Sequence, residues 1–107
     1  MRRVTMKPPE RRLRSRAAQV VHFRRLLRGT LAVRSRQCGK EGCRCTQGQP
    51  HVSLYLVQRR GGKLRQLYIP SQWEERVRQA VADYQELQRL VEQLSEMEWK
   101  DTEERKE

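Results

Sequence analysis

The stretch Val52-Ser-Leu-Tyr-Leu-Val-Gln58, Arg59-Arg60-Gly61-Gly62, Lys63-Leu-Arg-Gln-Leu-Tyr-Ile69 decides the fold. Both flanking runs are rich in side chains that favour strands. The two adjacent glycines between them supply the positive φ angles of a tight type I′ turn without steric cost, so the runs are expected to pair antiparallel. Upstream, Thr30-Leu-Ala-Val-Arg-Ser-Arg36 suits a third short strand. The middle of the chain therefore reads as a small three-stranded antiparallel sheet whose first connection carries all three cysteines, Cys38, Cys43 and Cys45.

Both flanks of the sheet carry helical periodicity. From Glu10 to about Arg28, after Pro8-Pro9, the apolar residues Leu13, Ala17, Val20, Val21, Phe23, Leu26 and Leu27 recur mostly at spacings of three and four. This predicts an amphipathic helix whose other positions are largely arginine, closed by Gly29. On the other side, Pro70-Ser71-Gln-Trp73-Glu74 matches a capping box, in which Ser71 and Glu74 each satisfy the other's backbone N–H. The helix it opens is expected to run from Gln72 to about Glu98. Its stripe is Val77, Ala80, Tyr84, Leu87, Val91 and Leu94, widened by Trp73, Val81, Leu90 and Met97. At ~1.5 Å per residue such a helix is ~40 Å long. A three-stranded sheet cannot cover it, so its distal half should pack on the first helix or on a second copy.

The expected fold class is α+β in a single domain over 1–107. It comprises a basic helix (1–28), the cysteine loop and sheet (29–70), a long acidic amphipathic helix (71–99) and a charged tail (100–107). With 107 residues, 36% hydrophobic and 35% charged, the chain can bury only a modest core, and extra staples would help it. No stretch approaches the ~20 apolar residues of a membrane span, and the start of the chain lacks the apolar region of a secretory signal. A cytoplasmic protein is expected.

The net charge of +11 is unevenly distributed. Residues 1–36 carry twelve Lys/Arg against Glu10 alone, and residues 37–70 carry six against Glu41. Residues 71–107 carry six against eleven acids. A basic first two-thirds is the footprint of a phosphate-backbone binder, and an acidic last third points away from nucleic acid. The alternative is a solvated basic helix that meets no nucleic acid.

Cys38, Cys43, Cys45 and His51 lie within fourteen residues. Three thiolates and one imidazole are the right number and type of ligands for a closed, structural tetrahedral Zn2+ site. Lys40 and Arg44 would offset the negative charge that the thiolates bring. The spacing Cys-x4-Cys-x-Cys is not a common finger or ribbon pattern, and the alternative is three reduced thiols beside an uninvolved histidine. An odd number of cysteines at spacings of five and two does not make a disulfide framework. No Cys-x-x-Cys is present to suggest redox chemistry.

The residues do not read as an enzyme. His22, between Val21 and Phe23, is expected at a partly buried or boundary position with no evident partner. The acids after Ser71 read as a solvated helix face and not as paired catalytic carboxylates. Nucleic-acid binding is assigned instead. Arg11, Arg12, Arg14, Arg16, Arg24, Arg25 and Arg28 would contact phosphates in a salt-dependent manner. Arg34, Arg36, Lys40, Arg44, Arg59, Arg60, Lys63 and Arg65 would line the metal loop and hairpin, where a β-ribbon could enter a major groove and an arginine could read guanine. Tyr55 and Tyr68 could stack on unpaired bases, although strand tyrosines more often serve packing.

The run Gly29-Thr-Leu, Arg36-Gln-Cys-Gly-Lys-Glu-Gly-Cys-Arg-Cys45, His51, Gly61-Gly62-Lys63 and Tyr68-Ile-Pro70, with a long helix carrying Tyr84, resembles a family of small uncharacterised bacterial proteins. The family is catalogued as a domain of unknown function and is sometimes found near transposase genes. The resemblance spans about residues 29 to 95, and its most distinctive part is Cys-Gly-Lys-x-x-Cys-x-Cys. Members usually have Gly-Pro and aromatic residues after the histidine, where this chain has Val52-Ser53-Leu54. The resemblance implies a mobile-element accessory or DNA-binding role, without an established activity. Two functions follow as expectations. One is a zinc-stabilised nucleic-acid-binding module, with DNA favoured over RNA. The other is a protein–protein adaptor that uses the long helix for dimerisation or docking.

Overall fold

The computed structural model describes residues 6–36 and 51–105. The elements run α1 (Pro8–Phe23), β1 (Thr30–Arg36), β2 (His51–Arg60), β3 (Lys63–Ile69), a 3-10 turn over Ser71–Trp73, and α2 (Glu74–Glu103). This is the expected α+β architecture, with a helix on each side in sequence of a three-stranded antiparallel sheet in the order β1-β2-β3. Two compact units divide the chain: Leu27–Val81, and Met1–Leu26 with Ala82–Glu107.

In the sheet unit, the β2–β3 hairpin closes at Arg60↔Lys63. Gly61 and Gly62 have φ of 59° and 79°, the pair of left-handed residues that a type I′ turn requires. Alternation along β2 sends Leu54 and Leu56 to one face, and the register sets Ile69 opposite Leu54 and Leu31 opposite Leu56. Leu54, Leu56 and Ile69 form the buried core with Val77 and Val81 from the first turns of α2, and Leu27 and Leu31 pack against it. Tyr55 and Val57 fall on the opposite face.

The first helix is shorter than its periodicity suggests. It ends at Phe23, five residues before Arg28, and Arg24 is already extended, with φ −117° and ψ 150°. Leu26 and Leu27 keep helical spacing in sequence, yet Leu27 is used by the sheet. Its N–H donates to the Ala80 carbonyl of α2 at 3.2 Å, and its side chain joins the sheet core. Gly29 is accordingly not a helix cap. It has φ +153°, and a Cβ there would stand 2.7 Å from Leu56 Cδ1 and 3.0 Å from the Val57 carbonyl oxygen. The glycine is needed because the backbone passes directly over β2 on its way into β1.

Helix starts also differ in detail from expectation. At α1, Pro8 and Pro9 occupy the first two helical positions and have no N–H to leave unsatisfied, so the absence of a side-chain cap at Lys7 costs little. At α2, the capping box does not form. The Glu74 N–H donates to the Ser71 backbone carbonyl within the 3-10 turn, and the Glu74 carboxylate lies 3.8 Å from Arg78 one turn on. The far end of α2 runs to Glu103, five residues past Glu98.

In the helical unit, α1 and the distal part of α2 run antiparallel. Lys7, Glu10 and Arg14 share a cleft with Met97, Lys100 and Glu104, while Arg16 reaches Glu86. Val20 is 1% exposed, and Ala17 and Leu13, one and two turns before it, are half-buried. Val21 and Phe23, expected on the same stripe, are exposed, as is Val91 on α2. His22 is exposed too, and sits edge-on to Phe23 at 4.5 Å between ring centroids. No described helix is long and apolar enough to cross a membrane.

Candidate nucleic-acid interface

The arginines assigned to phosphate contact fall into two sets, one in each compact unit. In the helical unit, Arg16 makes a two-pronged contact with Glu86, Nε to Oε2 at 2.8 Å and Nη2 to Oε1 at 2.9 Å. Arg14 donates from Nε to Glu10 one turn back at 2.9 Å, and Arg11 reaches the Met6 carbonyl at 3.5 Å. The carboxylates that hold Arg14 and Arg16 take up charge assigned from sequence to phosphates. Arg12, Arg24 and Arg25 are exposed to solvent.

In the sheet unit the basic residues are held mainly by carbonyl oxygens, an amide and an aromatic ring. Arg28 donates from Nη2 to the Arg59 carbonyl at 2.9 Å, and its own carbonyl accepts from Gln58 Nε2 at 2.6 Å. Across the hairpin, Arg65 donates through both Nε, at 2.8 Å, and Nη2 to Gln58 Oε1. Arg59 Nη1 lies 3.4 Å from the Gly62 carbonyl, and Arg60 and Lys63 are exposed beside the turn. None of these contacts neutralises a positive charge.

On the face opposite the core, β1, β2 and β3 bring Ala32, Tyr55 and Tyr68 into one row across the sheet. The two tyrosine rings meet edge to face, 5.8 Å apart with an interplanar angle of 67°. The Arg34 guanidinium stands over the Tyr55 ring, 5.0 Å from its centroid. Tyr55 is half-buried by these neighbours, whereas Tyr68 retains 55% of its surface in solvent. Sequence reading names Arg34 and the tyrosines separately, and the ladder register is what joins them. A second arginine–aromatic pair, Arg76 over Trp73 at 4.5 Å, has no counterpart in the sequence reading.

Cys38, Cys43, Cys45, Lys40 and Arg44 lie outside the described residues, as do the side chains of Arg36 and His51. The backbone ladder ends at Arg36↔His51, so the positions flanking residues 37–50 face each other across paired strands. Among the described residues, no group of three or more His, Cys, Asp or Glu side chains is placed to hold a metal ion.

The fold and these side chains define a small α+β protein with a basic, aromatic-bearing antiparallel sheet. The chain belongs to the family described as Domain of unknown function (DUF6788), which matches residues 6–79, more than half of its length. The match takes in α1 and the sheet and ends in the second turn of α2, whereas the resemblance read from sequence spans about residues 29 to 95. No curated protein and no solved structure matches the chain.

Proposed function

We propose that this chain is a small nucleic-acid-binding accessory protein and not an enzyme. The observation that carries the reading is the composition of the sheet. Its three strands hold Arg34, Arg36, Arg59, Arg60, Lys63 and Arg65 without one Asp or Glu. Cations set on a rigid ladder with no acid among them favour a polyanion and release its counterions on binding. DNA stands ahead of RNA because the mobile-element association implied by the sequence resemblance concerns DNA. The cytoplasm, where thiols stay reduced, is the expected compartment.

Zinc belongs to the same proposal. Pairing of Arg36 with His51 supports it, since the positions that flank residues 37–50 meet there and Cys38 follows Arg36 by two residues. Bound metal would fix that connection and stiffen the end of the sheet that carries Arg34 and Arg36. The binding reading is tested by titrating the full chain against duplex DNA, single-stranded DNA and RNA across a salt series. Affinity should fall steeply and linearly on a log–log plot. No binding at low salt, or binding indifferent to salt, overturns it.

A second reading, a protein–protein adaptor, is favoured by Val91 and Trp99 of α2, which are 53% and 63% exposed. Light scattering across a concentration series tests it, and a strict monomer would argue against self-association through this helix.

A further inference from the structure

We propose that the outward face of the sheet is a stacking platform for the bases of single-stranded nucleic acid, with Tyr68 as the open ring. The inference rests on the nucleic-acid reading above and narrows it to one class of strand.

The face is assembled by register. Along it, successive rows hold Arg34 with Ser53, then Ala32, Tyr55 and Tyr68, then Thr30, Val57 and Gln66, then Arg59 with Leu64. From Ser53 to Arg59 is six residues, or ~20 Å at ~3.3 Å per residue. An arginine thus stands at each end, and the aromatic pair lies between them. Within the pair the roles differ. Tyr55 is enclosed by the Arg34 guanidinium and the edge of Tyr68, with small Ala32 on its other flank. Tyr68 lies on the edge strand β3, has no further strand beyond it among the described residues and keeps more than half of its surface open.

A large exposed aromatic flanked by arginines that form no ion pair among the described residues fits a ligand that is flat, apolar on its faces and anionic along its backbone. A single strand offers both, because each base has a free π-face and each phosphate a charge. Base pairs in a duplex already stack on one another and present only their edges in the grooves. Charge complementarity therefore selects nucleic acid, and the open ring selects its unpaired form. Stacking would be tolerant of sequence, since every base has a π-face.

The full chain should be titrated by fluorescence anisotropy against four ligands about ten nucleotides long, within the range of known single-strand sites. These are oligo-dT, oligo-U, an abasic deoxyribose-phosphate strand and a DNA duplex. Both base-bearing single strands are expected to bind at least about fivefold more tightly than the abasic strand. Tyr68→Leu should abolish that difference and leave duplex binding unchanged, and Tyr68→Phe should preserve it. Equal affinity for abasic and base-bearing strands, or an unaltered Tyr68→Leu variant, overturns the platform even while salt-dependent binding upholds the broader reading. Failure of all four ligands at low salt overturns both. A pair that serves only sheet packing would lower the melting temperature of Tyr68→Leu without changing the ratio of abasic to base-bearing affinities.

Discussion

Arg16 and Glu86, seventy residues apart, join α1 to α2 through two parallel hydrogen bonds of 2.8 and 2.9 Å. The fork geometry holds the Glu86 carboxyl below its ordinary pKa, chiefly through the Arg16 hydrogen bond. The Arg16 charge, with lesser help from Arg89 and Arg24, adds to the effect against the opposing cost of desolvation. The same contact raises the Arg16 pKa, first by the hydrogen bond and then by the Glu86 charge, with Asp83 adding to it.

The sign of the resulting pH dependence follows from the lowered carboxyl. A group whose pKa is depressed by folding contributes stability above its unfolded value, about 4 for glutamate, and loses it as pH falls through the folded value. Wild type should therefore melt above Glu86→Gln at neutral pH. The gap should close on acidification below the ordinary carboxylate range. Thermal melts at a series of pH values check this, and a gap independent of pH would show that the carboxylate charge is not what joins the helices.

Gly29→Ala should destabilise the sheet unit by about 1 to 3 kcal/mol, because the new Cβ meets both β2 backbone and the Leu56 side chain under a positive φ. Gly61→Ala gives the contrast. Nothing lies within 4 Å of its Cβ, so only the left-handed φ of 59° is penalised, at about 1 kcal/mol. Urea denaturation of the two variants should rank Gly29 as the costlier position.

The hairpin was legible because a two-residue turn fixes register arithmetically. Pairing Arg60 with Lys63 forces Leu54 opposite Ile69, Tyr55 opposite Tyr68 and Gln58 opposite Arg65. The core residues of β2 and β3 and the aromatic pair can thus be written down from Gly61-Gly62 alone. The β1 register has no such anchor, because its connection is long, so the meeting of Arg34 with Tyr55 is invisible in the sequence. The end of α1 at Phe23 is set by a contact that periodicity does not carry. Helical periodicity continues through Leu26 and Leu27, and only the demand of the sheet core for Leu27, with its N–H bond to Ala80, pulls the chain straight. The basic character of the candidate interface was legible as charge, but not which arginines are held. Arg16 and Arg14 look like Arg12 and Arg25 until α2 and the first turn of α1 bring Glu86 and Glu10 to them.

Leu54→Ala and Leu56→Ala, at 3% and 5% exposure, should each cost about 2 to 5 kcal/mol by removing apolar contact and leaving a cavity. Val33→Ala, at 59% exposure directly opposite Leu54 on β1, should stay within about 0.5 kcal/mol of wild type. Equal losses at Leu54 and Val33 in denaturant melts would mean that the core extends over β1 farther than Leu31.

At the hairpin tip, Arg60 and Lys63 are exposed and belong to the acid-free sheet. Converting both to Ala should weaken nucleic-acid binding without altering the fold. Each phosphate contact removed should also lower the slope of log affinity against log salt by about 1. In the helical unit, Arg16→Ala should disturb stability more than it changes that slope, because Glu86 already occupies its guanidinium. If Arg16→Ala lowers the slope as much as either tip residue does, the ion pair opens when nucleic acid binds.

Metal removal offers the most direct check on the cysteine cluster. Zinc requires deprotonated thiols and a neutral imidazole, so its loss on chelation or acidification should be coupled to lost stability. The loss should begin locally, since β1 and β2 end at Arg36↔His51, next to the proposed ligands Cys38 and His51. Cys38→Ser combined with Cys43→Ser should strip the metal and lower the melting temperature. It should also speed amide exchange at Arg34 and Ser35 before it does so at Leu54 and Ile69, which sit in the core. Unchanged metal content and melting temperature would instead assign the three cysteines to free thiols. The stiffness of that end of the sheet would then rest on the ladder alone.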